Sequence, residues 1–141
     1  MPCLALLFLP LLIQGQDLAS VKAEPVLEKR AQKAIDLANT TLSHARSQYE
    51  KGDFKSLAPA MEEVTAAAEL NIASLEAMGK HPSKNVKNYK LSEKRMRELA
   101  RRLETFANDV SFQDRDIVTK AQKRVTEIHE KLLEGALSKK P

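Results

Sequence analysis

The side chains best suited to metal or cofactor chemistry in this sequence are its three histidines, His44, His81 and His129. A helical di-iron site needs Glu-x-x-His pairs on two helices, and Thr126 occupies the position three residues before His129. A haem-binding bundle needs an inward His and Met from different helices, which His129 with Met61 or Met96 could supply. Because a histidine on a helix is usually structural, the sequence predicts no cofactor, and His129 is the candidate ligand if one is bound.

Catalytic constellations are lacking. The serines have no glycine elbow, no glycine-rich loop could cradle phosphate, and the carboxylates fall on solvent faces of predicted helices. Cys3 is the only cysteine and lies in the apolar N-terminal segment. A processed chain would therefore have no disulfide, thiolate ligand or cysteine nucleophile. The sequence predicts a protein that is not an enzyme.

Charge is distributed unevenly along the chain. Residues 80–102 contain nine lysines and arginines against Glu93 and Glu98, a net charge of +7, whereas residues 57–79 contain four glutamates and no basic residue. One interpretation is complementary pairing between two adjacent helices, which would contribute about 0–1 kcal/mol per exposed pair. The alternative is an anion- or partner-binding surface, with these candidate residues: Lys80, Lys84, Lys87, Lys90, Lys94, Arg97 and Arg101.

The partner expected for that surface is another protein or an anionic component of the cell envelope, such as a lipid headgroup or a polymer. Nucleic acid is disfavoured, because Tyr89 is the only aromatic residue of the segment that could stack on bases.

The elements that position these residues are predicted to be four amphipathic helices. Ala, Leu, Glu, Lys and Arg dominate, and apolar residues recur every three or four positions over 25–50, 54–78, 88–110 and the segment from Asp114 to Gly135. Gly52 is expected to take a left-handed conformation, Asp53 to cap the second helix, either Ser111 or Asp114 to cap the last helix, and Gly135 to end it. The fold class is therefore all-α, an antiparallel four-helix bundle of two helical hairpins over residues 25–136, with a tail at 137–141. The competing arrangement is a homodimer formed through the alanine-lined first helix.

Residues 1–15 are predicted to be a cleavable signal peptide. The apolar run over residues 3–13 is shorter than the roughly 20 residues that a membrane-spanning helix needs, and Gly15 provides a small residue for cleavage before Gln16. Residues 16–24 are expected to be flexible. The chain is expected to be exported to the periplasm or the cell exterior, with no transmembrane span.

Two parts of the sequence resemble known groups of proteins. The spacing of Ala45, Tyr49, Gly52 and Phe54 resembles the helical hairpin turn of a tetratricopeptide repeat. Asp114-Arg115, followed by the segment Arg-Val-Thr-Glu-Ile-His-Glu-Lys-Leu-Leu over residues 124–133, is similar to a pattern in a group of short exported bacterial helical proteins. That resemblance spans roughly residues 27–137 and implies an exported helical protein without an assigned activity.

Three functions are compatible with these observations. The first is a non-enzymatic interaction module of the cell envelope that binds a protein or an anion. The second is a haem- or metal-binding bundle that depends on His129. The third resembles small helical periplasmic chaperones, although their Leu-Thr-x-x-Gln repeats are missing.

Overall fold

The computed structural model of the chain describes residues 17–139, in which every regular element is helical. The elements are α1 (Leu18–Lys22), α2 (Leu27–Glu50), α3 (Leu57–Ala77), a 3-10 turn (Pro82–Lys84), α4 (Val86–Asp109) and α5 (Arg115–Ala136). The predicted all-α class and helical bundle are confirmed. The predicted signal peptide lies outside the described residues, and no helix within them is both long and apolar enough to cross a membrane.

The apolar stripes predicted from the sequence are the faces that the helices bury. In α4 the stripe alternates steps of three and four residues, and each of its members is buried: Tyr89, Ser92, Met96, Leu99, Leu103, Phe106, and Val110 just beyond the helix. The alanines of α2 are also buried inside the single chain, with Ala34 and Ala38 fully inaccessible. The other helices of the same chain already cover this alanine-lined face, and a homodimer formed through it stays a prediction.

The α2–α3 hairpin turns at Gly52, whose φ of +89° is the predicted left-handed conformation. The helix that follows begins at Leu57, three residues later than the expected start at Phe54. Asp53 therefore does not cap it directly; its carboxylate instead accepts hydrogen bonds from the backbone N–H and the hydroxyl of Ser56 at 3.3 and 2.6 Å. With this start Pro59 lies in the first turn, where its missing N–H breaks no helical hydrogen bond.

The two hairpins, α2–α3 and α4–α5, dock so that α2 packs on α4 and α3 packs on α5. Arg46, near the end of α2, pairs with Asp109 at the end of α4 at 2.9 Å, so these neighbouring helices run parallel. The consecutive helices α3 and α4 consequently occupy diagonal corners of the bundle and contact each other less than each contacts its neighbours. The expectation that they would be adjacent along their length is wrong.

Two local expectations also need correction. The sequence predicts a flexible segment over residues 16–24, whereas the structure has α1 there, with a capping box between Asp17 and Ser20 and a buried Val21. Gly135 is predicted to end the last helix, but α5 continues to Ala136 and Gly135 is buried against the ring of Tyr89. A Cβ at position 135 would overlap that ring.

One buried polar residue links three helices. The Asn71 side-chain amide, fully inaccessible on α3, donates to the carbonyl of Ala31 on α2 at 2.8 Å and to the hydroxyl of Ser92 on α4 at 3.1 Å. Ser92 is on the predicted stripe, but the periodicity gives no reason to expect a partner on α3. A buried amide that bonds to two neighbours favours one relative register of the helices, because sliding them would leave its donors unpaired.

Candidate anion-binding face

The outward surface of α4 carries a row of five cations, here called the basic face: Lys87, Lys90, Lys94, Arg97 and Arg101. Their spacing of three and four residues places them on one side of the helix, opposite the buried stripe. All five side chains are exposed. The structure therefore brings these five predicted residues together on one surface.

Lys80 and Lys84, the other two predicted residues, lie in the connection between α3 and α4 and are exposed. Lys84 ends the 3-10 turn, only three residues before Lys87. Asn85, the residue before α4, makes no side-chain cap to the helix, so the partial positive charge of the helix N-terminus adds to the charge of these lysines. Positive charge thus extends from the basic face to the beginning of the helix.

The basic face has few internal partners. Lys87, Lys90, Lys94 and Arg101 form no ion pair with any carboxylate in the described part of the chain, while Arg97 lies 3.7 Å from Glu93, one turn earlier on α4. Glu98, which directly follows Arg97 in the sequence, is exposed at the edge of the same surface. The result is a positive surface that the fold itself leaves largely uncompensated.

The remaining arginines of the basic segment have a structural role at the border with α2. Arg95 pairs with Asp36 at 2.5 Å, and Arg102 donates to the Asn39 side-chain oxygen at 2.7 Å and to the Ser43 hydroxyl at 2.6 Å. Burial, and to a smaller extent the charge of Arg46, lowers the pKa of Arg102 from its ordinary value. These two arginines contact α2 and lie to one side of the basic face.

The acidic residues of α3 do not neutralise α4. Glu69 pairs with Arg124 of α5 at 2.9 Å, and among the described residues no ion pair joins α3 to α4. The predicted charge pairing between the two helices is therefore wrong, because their diagonal placement turns the glutamates of α3 and the cations of α4 to different surfaces. Two of the glutamates, Glu62 and Glu69, border a groove of about 510 Å³ between α3 and α5. Its apolar lining includes Met61 and Ile117, and its far edge carries Lys120 and Arg124.

His129 on α5 faces Glu93 on α4. Its Nε2 is 2.9 Å from Oε1 of Glu93, and both side chains are largely buried. No cluster of three or more potential metal ligands occurs in residues 17–139. Met61 and Met96, the partners considered for a haem site, are packed in the core at 3% and 0% exposure.

Tyr49, at the end of the bundle where both hairpins turn, has a role that its place in the apolar stripe of α2 does not indicate. Its hydroxyl donates to Asp114 and accepts from the backbone N–H of Ser111, both at 2.9 Å, and its ring packs edge-on against Phe54 with centroids 4.9 Å apart. Asp114, predicted to cap the last helix, precedes α5 but uses its carboxylate for Tyr49 and Ser111 instead. Of these contacts, the tetratricopeptide-like spacing predicted only the packing of Tyr49 against Phe54.

Comparison of the chain with protein-family models, with curated protein sequences and with solved structures found no match. The candidate function therefore depends on the geometry of the basic face alone.

Proposed function

We propose that this protein is a non-enzymatic interaction module that binds an anionic partner along the outward surface of α4. The observation that supports the proposal is the row of five exposed cations, four of which have no carboxylate partner in the described chain. A stable fold does not require such a row, since Arg95 and Arg102 already attach α4 to α2.

The electrostatics of the whole chain favour the same conclusion. The formal net charge is +4, and the basic face concentrates positive charge on one corner of the bundle while the glutamates of α3 lie on the opposite corner. A one-signed surface of this kind attracts and orients an oppositely charged partner, and its effect weakens as salt is added.

The test is retention of the purified chain on immobilised dextran sulfate, eluted with increasing salt. A variant with Lys87→Gln, Lys94→Gln and Arg101→Gln should bind about 10- to 100-fold more weakly at low salt, because each lost contact removes counterion release and Coulomb attraction. The matched control carries Lys51→Gln, Lys55→Gln and Lys123→Gln, which removes the same charge from exposed positions outside the basic face.

Equal weakening in the two variants would mean that retention depends only on net charge, and the proposal would then be wrong. Circular dichroism of both variants verifies that the helices are retained, as expected for substitutions at exposed positions.

The proposed compartment is the periplasm or the cell exterior, on the basis of the apolar residues 3–13 and the small residue Gly15. Expression of the full chain with mass spectrometry of the exported fraction tests this directly. A product that begins at Gln16 is expected, and a full-length product confined to the cytosol would contradict it.

A further inference from the structure

We infer that the partner of the basic face is an acidic polysaccharide that lies extended along α4, with one carboxylate per sugar. This inference rests on the proposed function and specifies the chemistry of its ligand.

The shape of the basic face is the first argument. From Lys87 to Arg101 the helix advances about 21 Å, so that successive cations are about 5 Å apart along its axis. The five charges form a single row rather than a compact cluster, and a row fits an extended chain better than a small ion such as phosphate. The axial spacing is comparable to the length of one sugar unit in an extended polysaccharide.

The absence of an apolar anchor is the second argument. Protein interfaces depend on aromatic or aliphatic side chains buried at their centre, and peripheral membrane helices insert apolar residues beside their cations. Within α4, Leu91 is the one large apolar side chain that is exposed, at 42%, and it lies beside the row rather than in it. A surface of this composition recognises charge and leaves little apolar area to bury.

Nucleic acid fits the surface less well than an acidic polysaccharide. Single strands are held by aromatic side chains that stack on the bases, and Tyr89, the aromatic residue nearest to the row in sequence, is buried against Gly135. The phosphates of one duplex strand are about 3.4 Å apart along the axis, closer than the cations of α4. Basic patches of this kind also bind acidic polysaccharides such as heparin, whose recognition does not need bases stacked on aromatic side chains.

The two ends of the row differ in charge. Lys80, Lys84 and the uncapped N-terminus of α4 add positive potential beside Lys87, whereas Glu98 lies among the last cations, between Lys94 and Arg101. The polysaccharide should therefore contact the N-terminal half of α4 most strongly, and short oligomers should occupy that half first.

The test is calorimetric titration of the purified chain with oligogalacturonates, from the dimer to the decamer, at low ionic strength. Affinity should rise steeply until the oligomer spans the row, at about five sugars for cations about 5 Å apart, and should then level off. Lys87→Gln should weaken hexamer binding several-fold more than Arg101→Gln, because it removes charge from the more positive end.

Three further probes separate this inference from the proposed function: poly-glutamate, phosphatidylglycerol vesicles and a single-stranded oligonucleotide. Tighter binding of any of these than of the decamer, with loss in the Lys87→Gln, Lys94→Gln, Arg101→Gln variant, would overturn the polysaccharide inference and leave the proposed function standing. Failure of every polyanion to bind would overturn both. An oligogalacturonate affinity that is independent of length would also overturn the inference.

Discussion

Each end of the bundle is held by a tyrosine, but the two residues use different contacts. At the end where the hairpins turn, Tyr49 joins both turns through two hydrogen bonds of its hydroxyl and an edge-on contact with Phe54. At the end with the α3–α4 connection, Tyr89 packs its ring directly on the backbone of Gly135. The first end depends on polar groups at the surface, where water can replace a lost partner. The second depends on the absence of a side chain at Gly135, because a larger residue there would overlap the ring of Tyr89.

This difference bears on the proposed site, because the basic face begins at the end held by Tyr89. The position of Lys84 and Lys87 relative to the other helices depends on how closely α4 approaches α5 there. A disturbance of the Tyr89 contact should therefore affect both stability and binding, whereas one at Tyr49 should affect stability alone.

Gly135→Ala should have the largest effect. The new Cβ would lie 2.3 Å from Cδ1 of the Tyr89 ring, an overlap severe enough to cost the upper part of the range of about 1–3 kcal/mol for overpacking. Because alanine is better than glycine in a helix by about 1 kcal/mol, the net loss should be about 2 kcal/mol. Urea unfolding should show a lower free energy of unfolding. Unchanged or increased stability would mean that the close contact does not hold this end.

A companion variant isolates the cause of that loss. Tyr89→Leu in the Gly135→Ala background removes the ring that the new methyl group meets. The two changes should be non-additive, because residues in contact couple in a double-mutant cycle. Additive losses would show that the ring and the glycine act independently.

Tyr49→Phe should have a smaller effect, about 1 kcal/mol. The substitution keeps the ring against Phe54 but removes the hydroxyl that bonds to Asp114 and Ser111, and a typical hydrogen bond contributes about 0.5–1.5 kcal/mol net. The measurement is the same urea unfolding, with dextran sulfate retention as the second readout. Loss of retention in this variant would contradict the separation of the two ends.

These two ends also show where the sequence was informative. The spacing of Tyr49, Gly52 and Phe54 predicted a turn with packed aromatics, and the positive φ of Gly52 confirms the turn. This prediction was possible because the conformation of a tight turn depends on the residues within it. The same local reasoning assigned Gly135 to the end of the last helix, but α5 continues through it to Ala136. A glycine is needed at this position because the ring of Tyr89, 46 positions earlier, packs against it. A local sequence pattern does not include a contact between residues so far apart.

The candidate site, too, could be predicted from the sequence only in part. The three-and-four spacing of apolar residues in α4 fixed which side faces the core, and so placed Lys87, Lys94 and Arg101 on the outside. Periodicity does not determine which helix is a neighbour, because that depends on how the hairpins dock. The diagonal placement of α3 and α4, which leaves the basic face unpaired, could therefore not be predicted.

Phe112→Ala should change stability by less than about 0.5 kcal/mol. Phe112 is at the same end as Tyr49 but is 84% exposed, and its one aromatic contact is with the Arg115 guanidinium, 5.9 Å from the ring centroid. Exposed substitutions away from buried contacts usually lie in this range. A loss as large as that of Tyr49→Phe, measured by urea unfolding, would mean that this end depends on more than the tyrosine.

The smallest effect, absent at neutral pH, concerns the titration of Tyr89. Burial, and to a lesser extent the negative charge of Glu76, raises the pKa of Tyr89 above its ordinary value of 10.0. The folded state then holds this proton more tightly than the unfolded state, so its contribution to stability is intact below pH 10 and is lost as the pH rises through the folded pKa. Phenolate absorbance of the wild type minus that of Tyr89→Phe should therefore have a midpoint above 10. A midpoint at or below 10 would show that the ring over Gly135 is open to water, and the two ends of the bundle would then differ less than their contacts indicate.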